Sequence, residues 1–151
     1  MNTLPVYKAS FFLNQKRKDG LRLKVVHETD HVYIDFRIGE QFRSETGSLY
    51  NGILFGMMDV LMWYAILIPT GKVCMTRKID VEFFEPVSCN IPYRAKSKLL
   101  SFDEKGYYVT AWIEDQHGHT VTEVTALFKE GKGVRLVDII NDLDFSGTSP
   151  E

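Results

Sequence analysis

Hydrophobic and polar positions alternate along two stretches near the start of the chain. Leu21, Leu23 and Val25 interleave with Arg22, Lys24 and Val26, and Val32, Ile34 and Phe36 interleave with Tyr33, Asp35 and Arg37. A period of two belongs to a half-buried strand, so both stretches predict strands. The polar run Glu28-Thr29-Asp30-His31 between them predicts a hairpin turn. Residues 39–50, rich in Ser, Thr and Gly, predict a loop.

The pattern then changes. From Tyr50–Gly52 to Pro69 almost every residue is apolar, which predicts a helix of about five turns that stops by Pro69, with Gly71 as a second terminator. A helix apolar all round has no broad solvated face, so sheet or a partner subunit must wrap it. Residues 53–68 are too short for a membrane span, which wants about 20 apolar residues, and Asp59 interrupts them. A buried helix in a soluble protein is expected.

Alternation returns in residues 73–84, 93–100, 107–114 and 120–128, predicting four more strands. Ile79, Val81 and Phe83 point one way and Lys78, Asp80 and Glu82 the other, so the helix is expected over the dry face. The junctions at 85–87, 103–106 and 115–118 are short and suit turns between antiparallel neighbours. After Gly131 comes a tail in which Val134 to Leu143 suits a short helix. The order is two strands, a long helix, four strands and a tail: one α+β domain over residues 1–151, with its core at about 19–129 and residues 131–151 as the tail.

Charge and composition exclude more than they add. The net charge is -2, and the one basic run, Lys16-Arg17-Lys18, is balanced elsewhere, so neither nucleic acid nor an anionic membrane is an expected partner. The first ten residues lack the charged-then-apolar pattern of a secretory signal, and a cytoplasmic protein is expected. Cys74 and Cys89 have no metal-type spacing and read as reduced thiols. His117 and His119 lack the third and fourth ligands of a zinc site, so no metal or cofactor is expected.

Asp59 is the residue that asks for a chemical explanation. On helical spacing it shares a face with Phe55 and Gly56 behind it and Met62 and Trp63 ahead. An unpaired buried carboxylate costs several kcal/mol, so it is either paired, for instance with an arginine of the sheet, or faces a cleft as an acid, base or nucleophile. Tyr50-Asn51-Gly52 sets a small residue at the helix start, where free backbone N–H groups suit an oxyanion. Met57, Met58, Met62, Trp63 and Tyr64 either pack or line an acyl tunnel, and Arg77, Lys78, Arg94, Lys96 and Lys98 either form a solvated face or meet phosphates.

The stretch from Tyr50 to Asp59 resembles the helix-start pattern His-Gly-Gly, six residues, Asp of the phenylacetyl-CoA-type (PaaI-like) branch of the hotdog acyl-CoA thioesterases. Thr76 followed by Ile79, Val81, Phe83 and Pro86 resembles that family's post-helix strand. Residues 114–119 resemble its late hairpin, and Asp19-Gly20-Leu21-Arg22-Leu23 its opening stretch. This chain has Tyr50 and Asn51 at the family's His and first Gly, Ser44 where many relatives carry Asn or Gln, and Val60 where many carry Glu.

The resemblance implies a hotdog fold, an antiparallel sheet wrapped around one long central helix, and acyl-CoA thioester hydrolysis without a metal or cofactor. Asp59 is implied as general base or nucleophile and the backbone of Asn51 or Gly52 as oxyanion hole. Thr76 is implied as a water-positioning hydroxyl from the facing subunit, in a homodimer or a dimer of dimers joined edge to edge. Tyr50, Ser44, Phe55, Met62 and Trp63 are the implied substrate contacts. Two alternatives remain: a non-catalytic module that binds acyl groups or acyl-CoA, and a hotdog lyase, against which the absence of a histidine near the helix start counts.

Overall fold

A computed structural model describes residues 2–4, 6–133, 139 and 142–144. Most of the expected tail helix over 134–143 lies outside the described residues. The strands are β1 (Asn2–Thr3), β2 (Val6–Tyr7), β3 (Val26–Glu28), β4 (His31–Phe36), β5 (Cys74–Phe83), β6 (Tyr93–Asp103), β7 (Gly106–Glu114), β8 (Thr120–Glu130) and β9 (Leu143–Asp144). The helix α1 spans Asn51–Thr70. Seven strands form one sheet in the order β1-β3-β4-β6-β7-β8-β5, antiparallel throughout, while β2 and β9 make a separate ribbon.

The period-two pattern becomes layers across this sheet. Val32, Ser97, Ala111 and Val124 stand in register across β4, β6, β7 and β8, and all are buried. Ile34, Ala95, Ile113 and Thr122 form the next buried row. Against them lie Leu54, Met57, Met58, Leu61, Met62 and Ile66, all within 1% of full burial. Burying a side chain of this size contributes roughly 1.5–3 kcal/mol, so this helix-on-sheet interface is the main source of stability.

Four expectations need correction. The helix continues one residue past Pro69: in the final turn the proline removes only one backbone donor. The Thr70 hydroxyl donates to the Ile66 carbonyl at 2.6 Å, and Gly71, at φ 69°, sends its N–H to the Leu67 carbonyl. Residues 21–25 are not strand. Leu23 and Val25 are buried as the alternation requires, but Arg22 has φ 53°, and Leu21 and Leu23 donate to the carbonyls of Phe11 and Phe12 instead of to a strand. The predicted hairpin at Glu28–His31 does form, with Val26 opposite Tyr33.

The third correction concerns Glu85-Pro86-Val87, which does not join neighbours. The N–H groups of Phe84 and Glu85 both reach the Val121 carbonyl, prolonging the pairing of β5 with β8, and the Val87 carbonyl accepts from Leu49. The chain thus crosses over before β6 pairs with β4. Finally, β5 is an edge strand, and with only Ile79 and Val81 half-buried its dry face is much less covered than expected.

The other two junctions are turns. Asp103 accepts from the Lys105 N–H, and at Gly106, φ 141°, a side chain would run into the Phe128 carbonyl. Asp115 accepts from the N–H groups of both His117 and His119, so that hairpin tip is organised around a carboxylate.

Candidate functional site

Asp59 lies on α1 two turns from its start and is half-buried. Its partner is not an arginine. The Thr76 hydroxyl of β5 donates to Asp59 Oδ1 at 2.5 Å, within one chain, whereas the resemblance implied that Thr76 comes from a facing subunit. A break in the β5–β8 register between Thr76 and Lys78 accompanies this contact. The extra residue there, Arg77, is exposed and has no ion-pair partner among the described residues.

Both residues open into a cavity of about 290 Å³. Val60, Trp63, Tyr64 and Phe128 form its floor from the helix and sheet. Trp63 meets Tyr64 edge to face at 5.0 Å, and burial pushes the Tyr64 phenol pKa well above its usual value, keeping it neutral. Tyr7, Ser10, Leu13, Ile139 and Leu143 close the other side. The polar side-chain groups lining this apolar site are therefore few: a carboxylate, two small hydroxyls, two phenols and the Trp63 indole N–H.

The helix start is exposed. Tyr50 is the N-cap residue without a side-chain cap, and the N–H groups of Ile53 and Leu54 turn back to the Tyr50 carbonyl. Asn51 and Gly52 carry first-turn N–H groups that no intrahelical carbonyl can reach. Gly52 is exposed with a negative φ, and a Cβ built there would meet nothing within 4 Å. Neither backbone conformation nor internal packing demands glycine at this position.

The expected substrate contacts divide. Trp63 lines the cavity, whereas Met62, like Met57 and Met58, is buried against the sheet on another side of the helix. Phe55 is 43% exposed and outside the cavity. The Tyr50 hydroxyl donates to Glu45 at 2.9 Å, and Ser44 bonds Thr46 within the preceding loop, so neither approaches Asp59 here. Most of the candidate phosphate-binding cations are engaged. Arg94 holds Asp35 through two hydrogen bonds and covers the Tyr33 ring, Lys96 pairs with Glu114, and Lys78 pairs with Asp80.

Apart from Thr76, sequence reasoning missed the cavity walls outside the helix. Phe128 was accessible, as the last inward position of an alternating strand. Tyr7 and Leu143 carry no such signal, because a two-residue ribbon is too short to show a period.

No family model matches the chain, and no curated protein matches it in sequence. Solved structures do match. A thioesterase superfamily protein aligns with 79% of this chain at TM-score 0.72 and 17% identity; the match covers 62% of that protein, less than two thirds of its length. The Escherichia coli PaaI protein from the phenylacetic acid degradation operon aligns with 74% of this chain and 80% of its own at TM-score 0.67 and 15% identity. A Streptococcus mutans protein bound to acetyl CoA aligns with 72% of this chain and 88% of its own at TM-score 0.66 and 14% identity. The one long helix and antiparallel sheet described above, shared with thioesterase-superfamily structures, are the hotdog fold.

Proposed function

We propose that this chain hydrolyses acyl-CoA thioesters at a site completed by a second copy of itself. The observation that carries the reading is the Asp59 carboxylate, bonded by Thr76, at the mouth of an apolar cavity in a hotdog fold. The Thr76 hydroxyl occupies Oδ1 and leaves Oδ2 for a water molecule. Asp59 takes the water's proton as the oxygen attacks the thioester carbonyl, and the tetrahedral oxyanion collapses to carboxylic acid and a coenzyme A thiolate, which takes that proton from Asp59, leaves as the thiol and restores the carboxylate. Direct attack by the carboxylate, through an anhydride then opened by water, gives the same products. The acetyl CoA carried by one structural neighbour and the coenzyme A carried by another support the carrier.

Helix geometry supports a second copy. Asp59 lies seven positions after Gly52, about 10 Å along a helix rising 1.5 Å per residue. One carbonyl cannot touch both, so the first-turn N–H groups of Asn51 and Gly52 must serve a thioester held by the other copy's Asp59. The edge strand β5 supplies a seam, with unpaired backbone groups and with Met75, Phe83 and Phe84 exposed. It runs from basic Arg77 and Lys78 to acidic Asp80 and Glu82, so an antiparallel copy sets opposite charges against each other. Arg77 beside the site is the available cation for a coenzyme A phosphate. Two such dimers can pair further.

A binding-only reading draws on the Tyr50 phenol, whose proton is committed to Glu45. Thiol release from short, long and aromatic acyl-CoA thioesters separates the two, comparing native protein with Asp59→Asn at matched fold and oligomeric state. Turnover lost in the variant supports hydrolysis by Asp59. No turnover on any substrate, with tight binding retained in both proteins, would overturn it in favour of acyl-CoA binding alone.

A further inference from the structure

Trp63 and Val60 line the cavity from the helix, and the β2–β9 ribbon supplies a further part of its wall. Tyr7 and Leu143 are cross-strand partners in it, and both line the cavity. The ribbon is fastened from both sides. The Lys8 N–H donates to the Asp142 carbonyl at 2.8 Å, Lys16 pairs with Asp144 at 3.5 Å, and the Asn14 amide reaches the Lys8 carbonyl. Leu13 and Leu143, 1% and 6% exposed, are held inward by these ties.

The cavity lined by the ribbon is small. Pockets for whole drug-sized ligands run about 300–1,000 Å³, so 290 Å³ lies at their lower edge and has no room for pantetheine or nucleotide as well. A space of this size suits an acyl group rather than a whole acyl-CoA. Its apolar walls end at Asp59 and Thr76, where the reacting carbonyl would sit.

We infer that the β2–β9 ribbon is the specificity wall of the acyl site: it admits straight or aromatic acyl groups that end short of it and stops longer ones at Leu143 and Tyr7. The inference rests on the thioester reading for its ligand class but on the ribbon for its length limit. A ligand filling the space gains roughly threefold to fourfold in affinity for each methylene buried, until the wall is reached.

The test uses the full chain and a series of S-alkyl coenzyme A thioethers from two to sixteen carbons, which no thioesterase can cleave, with affinity read by calorimetry. The same lengths of acyl-CoA are assayed for thiol release. Affinity is expected to climb with length and then fall once the chain reaches the ribbon. Leu143→Ala, which removes three carbons from the wall, moves that break two or three carbons longer, and Leu143→Phe moves it shorter. Opposite shifts from enlarging and filling substitutions are not what a merely loosened fold produces. A break that neither variant moves, or affinity indifferent to length, overturns the ribbon as the wall. Turnover without a length limit refutes the wall and leaves the hydrolase reading standing. A movable length limit in binding without turnover does the reverse.

Discussion

Replacing Gly52 with alanine separates stability from function in a single change. In the first turn of α1 a Cβ would meet no atom within 4 Å, so the methyl costs nothing sterically. Alanine also reduces the freedom of the unfolded chain, and glycine is about 0.8–1 kcal/mol worse than alanine inside a helix. Near a terminus part of that is realised, so Gly52→Ala should stabilise the protein by about 0.5–1 kcal/mol. For a chain of this length the melting temperature rises by about 1–4 °C.

The same methyl points toward the helix amino terminus, as every helical Cβ does, and so into the approach to the Asn51 and Gly52 N–H groups. If those groups hold the oxyanion, kcat/KM should fall at least tenfold, which is about 1.4 kcal/mol of lost transition-state binding. Urea unfolding and thiol release on the same preparations, at matched oligomeric state, read both quantities. A stabilised variant with unchanged turnover would show that the glycine is not there to leave the N–H groups accessible. A destabilised one would refute the packing argument itself.

Three further outcomes follow from the interior and the sheet face. Thr122 is buried and its hydroxyl has no hydrogen-bond partner among the described residues, so Thr122→Val should raise stability by about 1–2 kcal/mol in urea unfolding; a loss would mean the hydroxyl is satisfied. Burial raises the Glu114 carboxyl, but hydrogen bonds from Trp112 and Lys96, with the charges of Lys96 and Arg94, outweigh it and set the pKa below its ordinary 4.5. Its stabilising contribution is therefore present above pH 4.5 and lost as pH falls through the lower folded value. The gap in urea midpoint between native protein and Glu114→Gln should be open at pH 7 and close on acidification; a gap independent of pH refutes the assignment. Burial, reinforced by the charge of Glu130, pushes the Cys74 thiol up to about 11, so at pH 8 maleimide should modify Cys74 only after unfolding. Rapid labelling of Cys74 in the native state would contradict this.

The strands and the helix were legible because burial imposes periods on the sequence: α1 is continuous apolar chain, and β6, β7 and β8 alternate across a face packed on it. That Asp59 needs a polar partner was legible too, since a carboxylate in such a helix is costly without one, and the Thr76 hydroxyl provides it. Periodicity does not encode which strand lies beside which. The short Glu85–Val87 junction looked like a hairpin, yet β5 pairs with β8 because its ladder continues to Phe84 and Glu85. Nor does helical spacing distinguish Met62 from Trp63. Adjacent residues point about 100° apart, and which of them meets the sheet depends on the axial rotation of the helix, which only tertiary packing fixes. Residues 21–25 resisted for another reason: their alternation is real, but the N–H groups of Leu21 and Leu23 pair with the carbonyls of Phe11 and Phe12 instead of with a strand.

The strand order also dictates when the edge can be closed. As the chain leaves the ribosome, β5 emerges about forty residues before the β8 segment that will pair with it, Val81 waiting for Val124. Contacts this distant in sequence form slowly, because a long loop must be closed before they return any free energy. Until then the strand exposes one unpaired edge to solvent and another to whatever neighbour will take it, with Met75, Phe83 and Phe84 beside it. Synthesis at high concentration should therefore favour mispairing between nascent chains, and slower translation or lower temperature should raise the soluble yield.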